Sequence, residues 1–149
     1  MKATDLRIGN LIGLNDSEWD GFNQFFELMD SSEVKIFLED KNKHAYVVSI
    51  ANEIELAAYG VDLDYYNLSE IETIPLTEEW LIRFRFKKFD NVFELRFKGF
   101  CLSVYLHDNG NIVECYIENV GVEIFYVHQL QNLYHALTGE ELTLTNNHD

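Results

Sequence analysis

The chain has 149 residues, of which 47% are hydrophobic and 14% aromatic, with one proline and eight glycines. This composition excludes intrinsic disorder for most of the chain and fits one domain, or a domain with a small subdomain. The formal net charge of −15 argues against direct binding to nucleic acid or to an anionic membrane, because a phosphate-binding face needs a basic patch.

The N-terminal half shows the apolar alternation of β-strands. We predict strands at Asp5–Leu14, Glu33–Glu39, Ala45–Ile50 and Glu53–Tyr59, with a further short strand near Val61. Residues 15–32 are predicted to form a loop with about one helical turn. The Glu53–Tyr59 segment has a short helix as its alternative, but the alternation of its two glutamates with apolar residues favours a strand.

A short helix is predicted at Thr77–Phe84, because Thr77 is a good N-cap and two glutamates occupy the first turn. Beyond it, charged and aromatic residues alternate, so the chain must become extended. The segment 83–98 is a basic island between two acidic stretches. We interpret this island as a solvated face whose cations pair with neighbouring acids.

A four-stranded antiparallel meander is predicted next. Its strands are Val92–Lys98, Phe100–His107, Ile112–Glu118 and Val122–Tyr126. The best turn signal is the Asn-Gly pair at 109–110, which favours a two-residue hairpin turn.

The register of that hairpin decides whether its two cysteines can form a disulfide. A two-residue turn at 109–110 places Cys115 opposite Val104 and Cys101 opposite Glu118, so the thiols are out of register for a disulfide. Free thiols, together with no apolar signal segment in the first residues, predict a cytoplasmic protein.

The clearest helix is Tyr126–Leu142. Its apolar stripe has the i, i+3, i+7 spacing of a buried face, and Gly139 has the residue type that ends a helix in the left-handed conformation. The opposite face is polar without a fixed charge. Amides and imidazoles are buried at lower cost than charges when hydrogen-bonded, so we expect this face to be covered. This polar face is covered either by another part of this chain or by another chain, as in a homodimer. Gln129, Asn132 and His135 are the expected contact residues of such an interface.

The acids of the N-terminal half suggest a second kind of contact. Ordered carboxylates can compete with nucleic acid for the basic groove of a partner protein, and simple solubility charge is the alternative. The candidate carboxylates are Asp16, Glu18, Asp20, Glu53, Glu55, Asp62 and Asp64.

Motifs for catalysis or for a cofactor are not found in the sequence. His128 and His135 lie seven residues apart, but no acid between them supports a metal site, and there is no HExxH motif, phosphate loop or G-x-S-x-G elbow. We predict a non-enzymatic protein with no metal and no cofactor; an uncharacterised enzyme is the least favoured alternative.

The predicted fold class is α+β. The N-terminal β-rich subdomain spans 1–74, for which a small SH3-like barrel is one arrangement, and a helix–meander–helix subdomain spans 75–145. Residues 146–149 are predicted to be a frayed tail.

Three blocks, LRIGN at Leu6–Asn10, IPLTEEWLIRF at Ile74–Phe84 and YVHQLQNLYHALTGEEL at Tyr126–Leu142, resemble a family of small uncharacterised proteins encoded by phages and prophages. Relatives often carry glycine where this chain has Arg85, so the resemblance implies that the first helix is capped differently here.

The resemblance implies an accessory protein in the cytoplasm of a bacterial host. Combined with the charge, the resemblance predicts a function in protein–protein binding. The most specific form of this prediction is inhibition of a host defence or nucleic-acid enzyme through an acidic surface. The alternative is a structural or oligomeric protein that uses the neutral face of the last helix.

Overall fold

The computed structural model describes residues 5–14, 44–50, 54–58, 61–66, 71–107 and 112–145. The chain divides into two compact units, Met1–Ile74 and Pro75–Asp149. Among the described residues each unit contains one five-stranded sheet, and two helices lie in the second unit. The predicted α+β class is therefore confirmed, whereas an SH3-like barrel stays a prediction.

The first sheet is antiparallel at every described pairing, with strand order β4-β3-β2-β1-β5. Its strands are β1 (Leu11–Leu14), β2 (His44–Ile50), β3 (Ile54–Ala58), β4 (Val61–Tyr66) and β5 (Ile71–Glu72). The predicted strands at 45–50, 53–59 and 61 are confirmed, and β3 is a strand rather than a short helix. The predicted loop at 15–32 and strand at 33–39 lie outside the described residues, and β5 was not predicted.

The first strand is shorter than predicted, because residues 7–10 form a turn before it. The Asn10 N–H donates to the Arg7 carbonyl at 3.1 Å, and Gly9 between them has φ 90°. The Arg7 N–H in turn donates to the Asn10 side-chain oxygen at 2.7 Å, and Asn10 is fully buried. Two further backbone hydrogen bonds, between this turn and Val47 of β2, hold the start of β1 in the sheet. The LRIGN block is therefore a turn that positions a strand.

The second unit has the predicted order of helix, meander and helix. Its elements are α1 (Glu78–Arg83), β6 (Lys87–Phe89), β7 (Val92–Phe97), β8 (Phe100–Leu106), β9 (Ile112–Ile117), β10 (Val120–Val122) and α2 (Val127–Thr138). Both helices are confirmed: Thr77 is the N-cap of α1, although its side chain makes no capping hydrogen bond, and Gly139 ends α2 with φ 72°.

The meander prediction was wrong in two respects. The sheet has five strands in the order β10-β9-β8-β7-β6, because Lys87–Phe89 adds a strand at one edge. The last strand is Val120–Val122 rather than Val122–Tyr126, since a two-residue connection brings Val120 back opposite Ile117. The chain from 123 to 125 is then irregular before α2 begins.

The core of the second unit lies between the sheet and its helices. Phe93, Leu102 and Val104 on the sheet are completely buried, as are Val127 and Leu130 of α2. Burial of such side chains contributes about 1.5–3 kcal/mol each, so these positions anchor the unit. The opposite face of the sheet faces solvent, as is common for antiparallel sheets.

The prediction for the basic island is confirmed in part: among the described residues three of its six cations form ion pairs, whereas Arg83 lies 4.4 Å from the centre of the Trp80 ring. Lys88 pairs with Glu78 at 2.6 Å, Arg96 with Glu94 at 3.2 Å, and Lys98 with Glu140 at 2.7 Å. These pairs are exposed, so each contributes little to stability.

Candidate interaction face

The solvent-facing side of the second sheet, which we call the outer sheet face, is the candidate site. Side chains alternate between the two sides of a strand, and the registers of β6 to β10 place one set of residues on this side. They are Lys87, Phe89, Val92, Glu94, Arg96, Cys101, Ser103, Tyr105, Glu114, Tyr116, Glu118 and Gly121.

Two tyrosines form the centre of the outer sheet face. The rings of Tyr105 and Tyr116 meet edge to face, with centroids 5.8 Å apart. The Tyr116 hydroxyl donates to the Glu114 carboxylate at 3.0 Å, and this hydrogen bond raises the pKa of Tyr116 because it holds the phenol in its neutral form. The Tyr116 ring also reaches towards Gly121, where an added Cβ would lie 3.6 Å from it. Tyr116 is therefore held in a defined position on this face.

An open depression of about 370 Å³ lies at the β7–β8 end of the outer sheet face. It is lined by Arg96, Phe97, Lys98, Gly99, Phe100, Cys101 and Glu118. The Arg96 guanidinium donates to Glu94, which raises the pKa of Arg96. On the other side, the Cys101 N–H donates to the Glu118 carboxylate at 2.7 Å. A fixed cation and a fixed anion therefore flank Cys101.

The two cysteines adopt the predicted register. Cys115 lies opposite Val104, the Glu118 N–H donates to the Cys101 carbonyl, and both thiols are free. Burial raises the pKa of Cys115 to about 11, so it remains an unreactive thiol near neutral pH. The register shifts by one residue beyond Tyr105, and the predicted turn at 109–110 lies outside the described residues.

The neutral polar face of α2 is partly buried. His128 and Gln131 are 2% and 1% exposed, so this chain itself covers that part of the helix. The contacts predicted from the sequence are half-buried. Gln129 accepts hydrogen bonds from the backbone N–H groups of residues 125 and 126, and His135 lies 3.9 Å from Glu141. Asn132 lies beside them with intermediate exposure.

Three of the acidic candidates lie on strands of the first sheet. Glu55 lies on β3, and Asp62 and Asp64 lie on β4, the edge strand of the described sheet. The remaining candidates, Asp16, Glu18, Asp20 and Glu53, lie outside the described residues. Competition of these carboxylates with nucleic acid for a basic groove therefore stays a prediction.

The outer sheet face was not singled out from the sequence. The available signal was that Tyr105 and Tyr116 alternate with buried Val104 and Cys115, which puts both tyrosines on the polar side of the meander.

Comparisons of the chain with protein-family models, with curated proteins and with solved structures find no match. Among the described residues, no helix is long and apolar enough to cross a membrane. In the same part of the chain, no group of three or more histidine, cysteine or acidic residues is placed to hold a metal ion.

Proposed function

We propose that this chain is a non-catalytic, phage-associated accessory protein that binds another protein through the outer sheet face. One observation carries the proposal: on this one face Phe89 is 55% exposed, Tyr105 is 36% exposed and the Arg96 side chain is 77% exposed. Aromatic residues and arginine are the residue types most enriched at the centres of protein interfaces. The phage setting is supported by the resemblance of the three sequence blocks.

The rigidity of the tyrosine pair also supports binding. Tyr116 is held by Glu114 and by contact with Tyr105, so little side-chain freedom remains to be lost on association. An interface whose side chains are already ordered loses less conformational entropy on binding, so more of its interaction energy contributes to affinity.

A second candidate follows from the charge. Residues 1–74 contain 15 Asp and Glu against 5 Lys and Arg. Such an excess supports an inhibitor that occupies the basic groove of a host defence or nucleic-acid enzyme in place of phosphates. This candidate requires a basic partner and a strong dependence of binding on salt.

One experiment tests both candidates. The tagged chain and two variants, Tyr105→Arg and the control Phe125→Arg, are used to capture proteins from a bacterial host lysate at about 50 mM and about 500 mM NaCl. Phe125 is 50% exposed but lies outside the outer sheet face, so it is a matched exposed aromatic. Circular dichroism checks that both variants are folded.

The proposal expects a partner that the wild type and Phe125→Arg capture at both salt concentrations and that Tyr105→Arg loses. Equal capture by Tyr105→Arg contradicts use of the outer sheet face. A basic partner that is captured only at low salt, regardless of residue 105, supports the acidic inhibitor instead.

A further inference from the structure

We propose that a second copy of this chain packs on the outer sheet face, the two copies meeting face to face about a two-fold axis that runs along β8. This inference rests on the proposed use of that face for binding and gives its occupant when no other protein is bound there. It follows from the distribution of charge across the sheet, the row order of the residues and the area available.

The charges on the outer sheet face are separated by strand. The cations Lys87 and Arg96 lie on β6 and β7, whereas Glu114 lies on β9 and Glu118 directly follows it. The central strand β8 presents Cys101, Ser103 and Tyr105 on this face, and none of them is an acidic or basic residue of the Asp, Glu, Lys or Arg type. One side of the face is therefore cationic apart from Glu94, and the other is anionic.

A two-fold axis along the central strand places each side of the face over the opposite side of the second copy. Arg96, Cys101 and Glu118 lie in one row across β7, β8 and the end of β9. The axis therefore brings Arg96 opposite Glu118 of the other copy, and the same contact occurs twice by symmetry. Arg96 already donates to Glu94, so in the dimer its guanidinium bridges a carboxylate of its own chain and one of the second copy.

The uncharged residues of β8 lie opposite the same residues of the second copy. Tyr105 faces Tyr105 and Cys101 faces Cys101 across the axis, which buries the exposed aromatic surface between the two sheets. Sheets that pack face to face lie about 10 Å apart, so a short bifunctional reagent can span the two Cys101 thiols.

The size of the face predicts a weak dimer. Five strands about 4.8 Å apart and at most seven residues long give a footprint of roughly 400–500 Å² per copy. Stable interfaces bury about 800 Å² per partner, so association is expected to be reversible and in the micromolar range. The net charge of −15 on each copy adds repulsion that salt screens.

Sedimentation velocity tests the inference over about 5–500 µM protein at about 150 mM NaCl. The wild type is expected to pass from monomer to dimer in this range. Arg96→Glu is expected to raise the dissociation constant at least about tenfold, because it sets two like charges opposite each other twice. The combined variant Arg96→Glu with Glu118→Arg restores the dimer, since the exchanged charges are again complementary.

Two controls keep the test specific. Arg85→Glu makes the same charge change at an exposed residue outside the outer sheet face and is expected to leave the dimer unchanged. A bismaleimide reagent is expected to link the wild-type dimer through Cys101, and Cys101→Ser abolishes the product, because Cys115 is buried.

The inference is overturned if the wild type stays monomeric throughout, if Arg85→Glu weakens the dimer as much as Arg96→Glu, or if no Cys101-linked dimer forms. A monomeric protein that still captures a partner through Tyr105 refutes the dimer alone and leaves the proposed function standing. A dimer that forms while Tyr105→Arg captures its partner normally refutes binding of another protein at this face and leaves the dimer standing.

Discussion

Arg85 adopts a backbone conformation that residues other than glycine rarely take, with φ 68°. It follows the C-cap of α1, where its N–H donates to the Ile82 carbonyl at 2.9 Å and the Phe86 N–H donates to the Leu81 carbonyl at 3.0 Å. These two bonds form the Schellman ending in which glycine is the usual residue, and buried Phe86 and Leu81 supply its apolar contact. The expectation that the first helix is capped differently from a helix that ends at glycine is therefore wrong, because Arg85 adopts the conformation that glycine favours.

Replacing Arg85 with glycine is therefore expected to stabilise the protein. The left-handed conformation costs a side chain about 1–2 kcal/mol, and the extra freedom of glycine in the unfolded chain offsets part of that. We expect Arg85→Gly to raise the free energy of unfolding in urea by about 0.5–1 kcal/mol.

The control for this prediction is Lys87→Gly, which removes another exposed cation but lies in extended β6. It is expected to lower the free energy of unfolding by about 0.5–1 kcal/mol, since glycine weakens a strand. A loss of stability in Arg85→Gly would show that the arginine side chain contributes more than its backbone costs.

Single residues differ in how well their conformation is predicted. Gly139 was predicted to end α2 in the left-handed conformation because glycine carries no penalty there. The positive φ angles of Arg85, Asp90 and Glu118 were not predicted, because these residue types prefer other conformations. The hydrogen bonds of the helix end and of the tight connections impose the angle against that preference.

At the scale of the element, α2 is held at both ends. Gln129 accepts hydrogen bonds from the N–H groups of Phe125 and Tyr126 at 2.9 and 3.2 Å, so it satisfies donors just before the first turn. At the other end Lys98 donates to the Thr138 carbonyl at 3.2 Å, where a cation interacts favourably with the helix dipole. The sheet connection at Lys98 therefore also stabilises the helix that packs beside it.

Substitution of Gln129 separates its role in the helix from its predicted role as a partner contact. Gln129→Ala removes the acceptor and is expected to lower the free energy of unfolding by about 1 kcal/mol. Gln129→Glu keeps the acceptor and adds a negative charge at the positive end of the helix, so it is expected to retain or exceed wild-type stability.

Chemical denaturation measures both variants, and sedimentation velocity gives their oligomeric state. If Gln129→Ala keeps wild-type stability, the capping role is wrong. If Gln129→Glu folds normally but loses a captured partner, the partner contact predicted from the sequence gains support.

Elements also differ in how well the sequence predicts them. The strands β2, β7 and β8 were placed nearly correctly, because their alternation extends over six or seven residues. The three-residue strands β6 and β10 are too short to show a period, and their existence depends on pairing with a neighbour. Pairing of this kind is decided by contacts between segments rather than within one.

At the scale of the whole molecule, charge is the dominant property. The chain carries 26 acids and 11 lysines and arginines, and the cations that form exposed ion pairs neutralise only a few acids locally. Net charge far from zero destabilises a compact state through self-repulsion.

Salt is therefore expected to stabilise the protein. We expect the free energy of unfolding to rise by about 1 kcal/mol between about 20 mM and about 500 mM NaCl, because the Debye length falls well below the size of the protein. Thermal and urea unfolding at protein concentrations below the dimer range measure it.

Potassium chloride is expected to act as sodium chloride does, since screening does not distinguish the two cations, and sucrose at matched osmolality serves as the uncharged control. Stability that falls with salt would contradict self-repulsion and show that attractive pairs dominate.

The amino-acid sequence alone predicts the α+β class, both described helices, the left-handed Gly139, and the hairpin register that keeps Cys101 and Cys115 apart. These features depend on periodicity and turn chemistry within a few residues of each other, so they can be predicted from a single chain. The burial of the polar His128 and Gln131, and the exposure of Tyr105 on an open sheet face, are visible only in the folded chain. Burial depends on which distant segments pack over a residue, and neither the identity of a side chain nor its immediate neighbours specifies that.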